Sequence, residues 1–132
     1  MREGDEHTGG CLCGAVRFRV AGGPLWTGYC HCGSCRRATG APVAAFAGFP
    51  AGRFAYTRGT ATRRSSSPGV YRSFCAACGT PLTYEGDRWP GEVHIHTGCL
   101  DAPQDFPPQG EAFAEEKLPW LRLGPTGAEP AT

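Results

Sequence analysis

The sequence carries almost no excess charge: 13 Lys and Arg stand against 12 Asp and Glu, a formal net charge of +1 over 132 residues. That balance leaves no electrostatic footprint for nucleic acid or an anionic membrane, so neither is an expected partner. No apolar run approaches membrane-spanning length. Met1, Arg2, Glu3, Gly4, Asp5 and Glu6 lack the basic-then-apolar order of a secretory leader, so the expected location is cytoplasmic and reducing. Long helices are not expected either, because 20 Gly and 12 Pro punctuate the chain. What the sequence does have is cysteine, eight of them. In a reducing compartment, clustered cysteines bind metal or do redox work more often than they form disulfides.

The length fits one domain with a modest core. Val16, Phe18 and Val20 alternate with Arg17 and Arg19, the period of a half-buried strand. Further short strands are expected over 25–29, 43–49, 53–57, 70–74, 81–84 and 93–97, separated by Gly- and Pro-rich turns. Arg36 to Gly40 reads as one helical turn ended by glycine. Residues 1–9 are expected to be a flexible N-terminal arm, 60–69 a Ser/Thr/Arg-rich loop, and 101–110 irregular because of Pro103, Pro107 and Pro108. Trp120 and Leu121 are expected to lie back on the sheet as a hydrophobic anchor. A disordered tail is expected over 122–132, which leaves a single folded domain at 10–121. Many short strands with turn signals predict an all-β fold built from short antiparallel strands.

Cys11-x-Cys13 and Cys75-x-x-Cys78 each sit at a turn and each is followed by glycine. Together they offer four thiolates, the closed tetrahedral shell of a structural zinc. Such an ion would tie the first strand to the middle of the chain and add folding free energy. Cys30-x-Cys32-x-x-Cys35 supplies three more thiolates from one loop. Three protein ligands and one open position describe a catalytic zinc. His31 lies between two of these ligands and is expected to point away from the ion. Cys99 is a conceivable fourth ligand, but a buried, inert thiol is the better expectation. His94 and His96 share one strand face and are expected to serve packing or polar contacts.

Taken in order, Cys11-Leu12-Cys13-Gly14-Ala15-Val16, Cys30-His31-Cys32-Gly33-Ser34-Cys35-Arg36-Arg37-Ala38-Thr39-Gly40, Phe74-Cys75-Ala76-Ala77-Cys78-Gly79-Thr80-Pro81-Leu82, Gly98-Cys99-Leu100-Asp101 and Lys117-Leu118-Pro119-Trp120 carry a resemblance. They are similar to the glutathione-dependent formaldehyde-activating enzyme family, which also includes centromere protein V. The resemblance implies a zinc-bearing β-tent of layered antiparallel sheets. It implies a structural zinc on Cys11, Cys13, Cys75 and Cys78, and a second, catalytic zinc on Cys30, Cys32 and Cys35. It also implies a carbon–sulfur lyase acting on a thiol adduct of a small aldehyde, with glutathione and formaldehyde as the founding pair. This chain departs from the pattern at Glu111, which stands where members often carry histidine, and so implies altered surroundings of the site or an altered substrate.

For such a reaction Arg36, and with less reason Arg37, would offset the charge of three thiolates and pair with the carboxylates of a glutathione-like thiol conjugate. His31, Glu111 or water would take the hydroxyl proton. Tyr29, Phe46 and Phe49 are candidates to line a pocket, although packing is the better expectation for both phenylalanines. Two other functions compete: a non-catalytic zinc-binding module for a partner, and a thiol redox sensor in which Cys30, Cys32 and Cys35 oxidise when metal is absent.

Overall fold

The structure is a computed structural model that describes residues 4–126. In chain order its elements are β1 (Glu6–Gly10), β2 (Arg17–Ala21), β3 (Trp26–Cys30), α1 (Gly33–Thr39), β4 (Ala44–Pro50), β5 (Phe54–Arg58), β6 (Thr62–Ser67), β7 (Val70–Phe74), β8 (Pro81–Gly86), β9 (Glu92–His96) and β10 (Glu111–Ala112). Single 3-10 turns fill several of the connections. One sheet has the order β1-β2-β5, and the other β10-β3-β4-β9-β8-β7-β6. The pairings within them are antiparallel except that of β10 with β3. The expected single all-β domain of short antiparallel strands is what forms. No helix among the described residues is long and apolar enough to cross a membrane.

Strand alternation decides what each face does. Phe18 and Val20 of β2 are fully buried while Arg19 is exposed. They pack in one core with Ala47 and Phe49 of β4 and Val93 and Ile95 of β9. The intervening residues of the same two strands face the other way. Phe46 joins a second, smaller cluster with Cys35 and Ala44, and His94 and His96 stand beside it. The large sheet is therefore covered by the small sheet on one side and carries a site on the other.

Three expectations need correction. The arm expected over 1–9 is in fact strand β1 from Glu6 onward, paired with β2. Only Gly9 of Glu6–Gly10 is buried, so no hydrophobic alternation announced the strand. It is held instead by polar and aromatic contacts. Thr8 donates to Asp101 Oδ2 at 2.6 Å, Asp101 N donates to the Thr8 carbonyl at 2.9 Å, and His7 meets Phe106 edge-on at 5.0 Å. A Cβ on Gly9 would lie 2.4 Å from the Cys99 carbonyl oxygen and 2.5 Å from Phe18 Cζ. Gly9→Ala is accordingly expected to destabilise the chain by about 1–3 kcal/mol, the usual cost of overpacking. Denaturant unfolding measures this, and an unchanged midpoint would contradict it.

The loop expected over 60–69 is mostly β6, hairpinned to β7 through Gly69 at φ 75°. As an edge strand with exposed faces it needs no apolar alternation. Arg63 supplies its packing instead, with its guanidinium carbon 3.9 Å from the Tyr71 ring centroid and its Nε donating to Glu85. The Trp120 anchor does not form: Trp120 is 67% exposed. The buried aromatic from the C-terminal part is Phe106, placed by the Pro103–Asp105 turn against His7 and Phe49. Residues 122–126 carry no regular secondary structure, and the rest of the expected tail, 127–132, lies outside the described residues.

Candidate functional site

Two turns bring the first cysteine set together. Gly14 N donates to the Cys11 carbonyl at 3.3 Å and Gly79 N to the Cys75 carbonyl at 2.8 Å, and both glycines have φ 81°. A side chain at either position would be strained, so the glycines after the cysteines are what let the chain turn. Leu12 N donates to Thr80 Oγ1 at 3.1 Å and ties one turn to the other. The Sγ atoms of Cys11 and Cys13 are 3.7 Å apart, those of Cys13 and Cys75 are 3.8 Å apart, and all four lie within 4.8 Å of one another. A tetrahedron of sulfurs about 2.3 Å from a central zinc has edges of roughly 3.8 Å, so the donor set fits a closed tetrathiolate centre. The Thr80 hydroxyl and backbone bring the Cys78 thiol down to about 5, favouring the thiolate that a metal needs.

The second set is built where β3 runs into α1. Cys30 ends the strand, Cys32 caps the helix, and Cys35 lies in its first turn. Cys32 Sγ accepts from Cys35 N at 3.3 Å, and Gly40 in the left-handed region closes the helix through Gly40 N to the Arg36 carbonyl at 2.7 Å. Cys30 Sγ and Cys32 Sγ are 3.4 Å apart, and the three sulfurs lie within 4.8 Å of one another. Among the described residues no fourth His, Cys, Asp or Glu completes this group, so the set can hold an ion with one position left open. Cys99 is not part of either set. It donates to the Pro81 carbonyl at 3.2 Å, and burial pushes its thiol up to about 11, as an inert thiol requires.

Arg72 of β7 is the residue that sequence reasoning missed. Its Nη1 and Nη2 approach Cys35 Sγ at 3.9 and 3.8 Å. The Cys30 thiol, then Cys32 and Arg72, bring Cys35 down to about 6 against the cost of burying its charge. Arg36, expected at the site, is turned away from it. Its Nη1 donates to the His31 carbonyl at 2.7 Å and to the Glu116 carbonyl at 2.9 Å. His31 does point away from the sulfurs, as expected. It is fully buried and bonds through Nε2 to Glu111 Oε1 at 2.8 Å.

The three sulfurs line a cleft of about 1110 Å³. Tyr29, Phe46, Tyr84 and Trp89 form apolar parts of its wall, whereas Phe49 belongs to the core behind the sheet. Arg37, Arg64, Arg72 and Arg88 line it as well, with Glu116 the sole acidic residue among the described lining. His94 and His96 reach it from β9. Glu92 Oε1 accepts from both Trp26 Nε1 and His94 Nε2 at 3.0 Å. The carboxylate thereby places the His94 proton on Nε2 and leaves Nδ1 a bare acceptor. Tyr84 stacks on the His94 ring at 5.4 Å, and burial lowers the basicity of the imidazole against the opposing pull of Glu92.

His96 is governed by the same physics more strongly. Burial, and then the Arg72 charge, bring its imidazole down to about 4 from an ordinary value of 6.5. Between those two values the unfolded chain binds more protons than the folded one. Stability is therefore full above pH 6.5 and is lost as pH falls toward 4. The expected loss is about 3 kcal/mol, at roughly 1.4 kcal/mol per pH unit. Unfolding measured across this window should show a shallower pH slope for His96→Gln than for the wild type. Parallel slopes would contradict it.

The model of the family described as "glutathione-dependent formaldehyde-activating enzyme" matches residues 6–116. A curated protein of Halomonas elongata, named a putative glutathione-dependent formaldehyde-activating enzyme, is 30% identical over an alignment of 125 residues that covers 87% of this chain and 79% of that protein. A crystal structure of a Rhodobacter sphaeroides protein superposes with a TM-score of 0.65 at 24% identity, covering 80% of this chain and 99% of its own. That likeness speaks to the fold alone.

Proposed function

Because the chain belongs to the glutathione-dependent formaldehyde-activating enzyme family, we propose that it is a zinc-dependent carbon–sulfur lyase acting on the thiol adduct of a small aldehyde. The reading is carried by one observation: three convergent thiols with no fourth partner among the described residues, one of them against a guanidinium, in the wall of a large cleft. Cys30, Cys32 and Cys35 would hold the catalytic zinc, and Cys11, Cys13, Cys75 and Cys78 a structural one. Bound at the open set, zinc supplies a Lewis-acidic position that favours the thiolate form of a sulfur.

The chain's own residues supply the rest. Three thiolates on a divalent ion leave a net negative site, and Arg72 offsets that charge where it is largest. Arg37, Arg64 and Arg88 line the same cleft and suit the carboxylates of a glutathione-like thiol, which makes a peptide thiol the fitting substrate class. Tyr29, Phe46, Tyr84 and Trp89 would shield the reacting carbon on the sides they line. His94 Nδ1 accepts the hydroxyl proton of the hydroxymethyl thioether as the C–S electron pair passes to sulfur. Aldehyde and thiolate result, and His94 returns the proton to the sulfur. The reverse sequence forms the adduct. Glu92 and Trp26 keep the imidazole in the required tautomer.

The test is decomposition of S-hydroxymethylglutathione, together with a panel of other thiol–aldehyde adducts, by protein loaded with two zinc ions. Turnover of at least one adduct is the expected result. Absence of turnover on every adduct would favour a non-catalytic zinc module. Within that assay His94→Gln is expected to lower kcat by about 10²–10⁴-fold, the usual worth of a positioned proton acceptor. A kcat within threefold of the wild type would remove His94 from this role.

A further inference from the structure

Residues 110–117 are laced to the loop that carries Cys30, Cys32 and Cys35. Tyr29 N donates to the Gly110 carbonyl at 2.9 Å and His31 N to the Ala112 carbonyl at 3.0 Å. Gly33 N donates to Glu116 Oε1 at 3.2 Å, and Arg36 Nη1 joins the His31 and Glu116 carbonyls at 2.7 and 2.9 Å. The strand pairing itself is short, because β10 is two residues long and meets β3 only at Tyr29 and Cys30. Side chains therefore carry much of the hold.

His31 is the side chain at the centre of this lacing. It is fully buried, and its Nδ1 has no hydrogen-bond partner among the described residues. An apolar residue would fill the same space without stranding a polar atom, so packing does not explain a histidine here. What the imidazole provides is the 2.8 Å bond from Nε2 to Glu111 Oε1. In an extended stretch alternate side chains take opposite sides. The sulfurs of Cys30 and Cys32 meet on one side at 3.4 Å, and His31 anchors their shared backbone on the other. A three-ligand set has no fourth protein ligand to fix its shape, so the order of this backbone decides how well the sulfurs are placed.

We propose that His31 and Glu111 form a positioning clamp that sets the affinity of the ion held by Cys30, Cys32 and Cys35. The inference rests on the reading of that set as an ion site. Neither side chain belongs to the three-sulfur set, and neither lines the cleft. The clamp acts through the backbone of the ligand loop, and glutamate at 111 is the acceptor that a buried Nε2–H donor requires.

The experiment is competition for Zn²⁺ between the purified full chain and a chromophoric chelator, which resolves the first and second ion separately. Absorption of the Co²⁺-substituted protein reports the geometry of the three-sulfur site. Glu111→Ala is expected to weaken the second ion by about 10–100-fold, the usual effect of removing an outer partner of a metal site. It should leave the first ion and the melting temperature of the one-ion form unchanged. Glu111→Gln, whose amide oxygen still accepts from Nε2–H, should restore the second ion to within threefold of the wild type. His31→Leu should weaken it as Glu111→Ala does, and the double variant should be no worse than either single one. Should Glu111→Ala fail to fold, the contrast between Glu111→Gln and His31→Leu still decides the matter. Two ions bound with wild-type affinity by Glu111→Ala or by His31→Leu would overturn the clamp alone. Equal loss of both ions would overturn it as a specific device. A single ion in the wild type would overturn it together with the ion-site reading beneath it.

Discussion

Cys75→Ser is expected to abolish the folded state under ordinary conditions. Cys75 is 1% exposed and packs in the main core, with its sulfur 3.8 Å from Cys13 Sγ. The four-thiolate set joins the segment before β2 to the segment after β7, 62 residues apart in sequence. Structural zinc contributes about 10–16 kcal/mol of apparent binding free energy in small domains. Total stability is typically only about 5–15 kcal/mol. Loss of the ion once one of its four thiolates is gone would therefore remove a contribution as large as the whole margin. The expected result is loss of the cooperative thermal transition by circular dichroism, with little or no zinc retained. A folded variant melting within a few degrees of the wild type would mean that the small sheet is held by its core alone.

Cys32→Ser is expected to do the opposite: preserve the fold and abolish the chemistry. Cys32 caps α1 through its sulfur, and serine is itself a favoured N-cap residue, so the helix keeps its first hydrogen bond. The half-buried side chain loses little apolar burial. What goes is one of three thiolates at a set that has no spare. Two of the three sulfurs cannot hold an ion as three do, so zinc should fall from two per chain to one. Turnover should fall by at least about 10³-fold, in line with several kcal/mol of charge stabilisation from the metal. The thermal midpoint should move by only a few degrees. An active Cys32→Ser variant with one zinc per chain would place the chemistry elsewhere.

How much of this was legible in the sequence depended on whether the signal was local. Cys-x-Cys-Gly and Cys-x-x-Cys-Gly announce both the turns and the meeting of four sulfurs, because the glycines are required at the positions that follow the sulfurs. Phe18 and Val20 alternate with arginines because their strand separates a core from solvent. β1 and β6 were invisible for the converse reason. One is buried only at a glycine and the other is an exposed edge, so neither needs apolar alternation.

The clustering of the cysteines was legible, and the residues around them were not. Arg72 lies 37 residues from Cys35 and reaches it only because β7 and α1 converge on one cleft. The pairing of Glu92 with His94 on one strand was present as an i, i+2 spacing, which places both on one face. What it lacked was the third member, Trp26, which comes from β3. Arg36 was misplaced for a related reason. Its neighbour Cys35 faces the cleft, and one residue of helix rotation turns Arg36 toward the carbonyls of His31 and Glu116 instead.

On the proposed function the open three-cysteine set carries the reaction while the closed four-cysteine set carries the fold. The most direct measurement starts from chain stripped to one zinc under reducing conditions. Zinc is added back while adduct decomposition is followed. Turnover should be absent at one ion per chain, rise in proportion to the second ion, and level off at two. Full turnover at one ion per chain, or none at two, would contradict it.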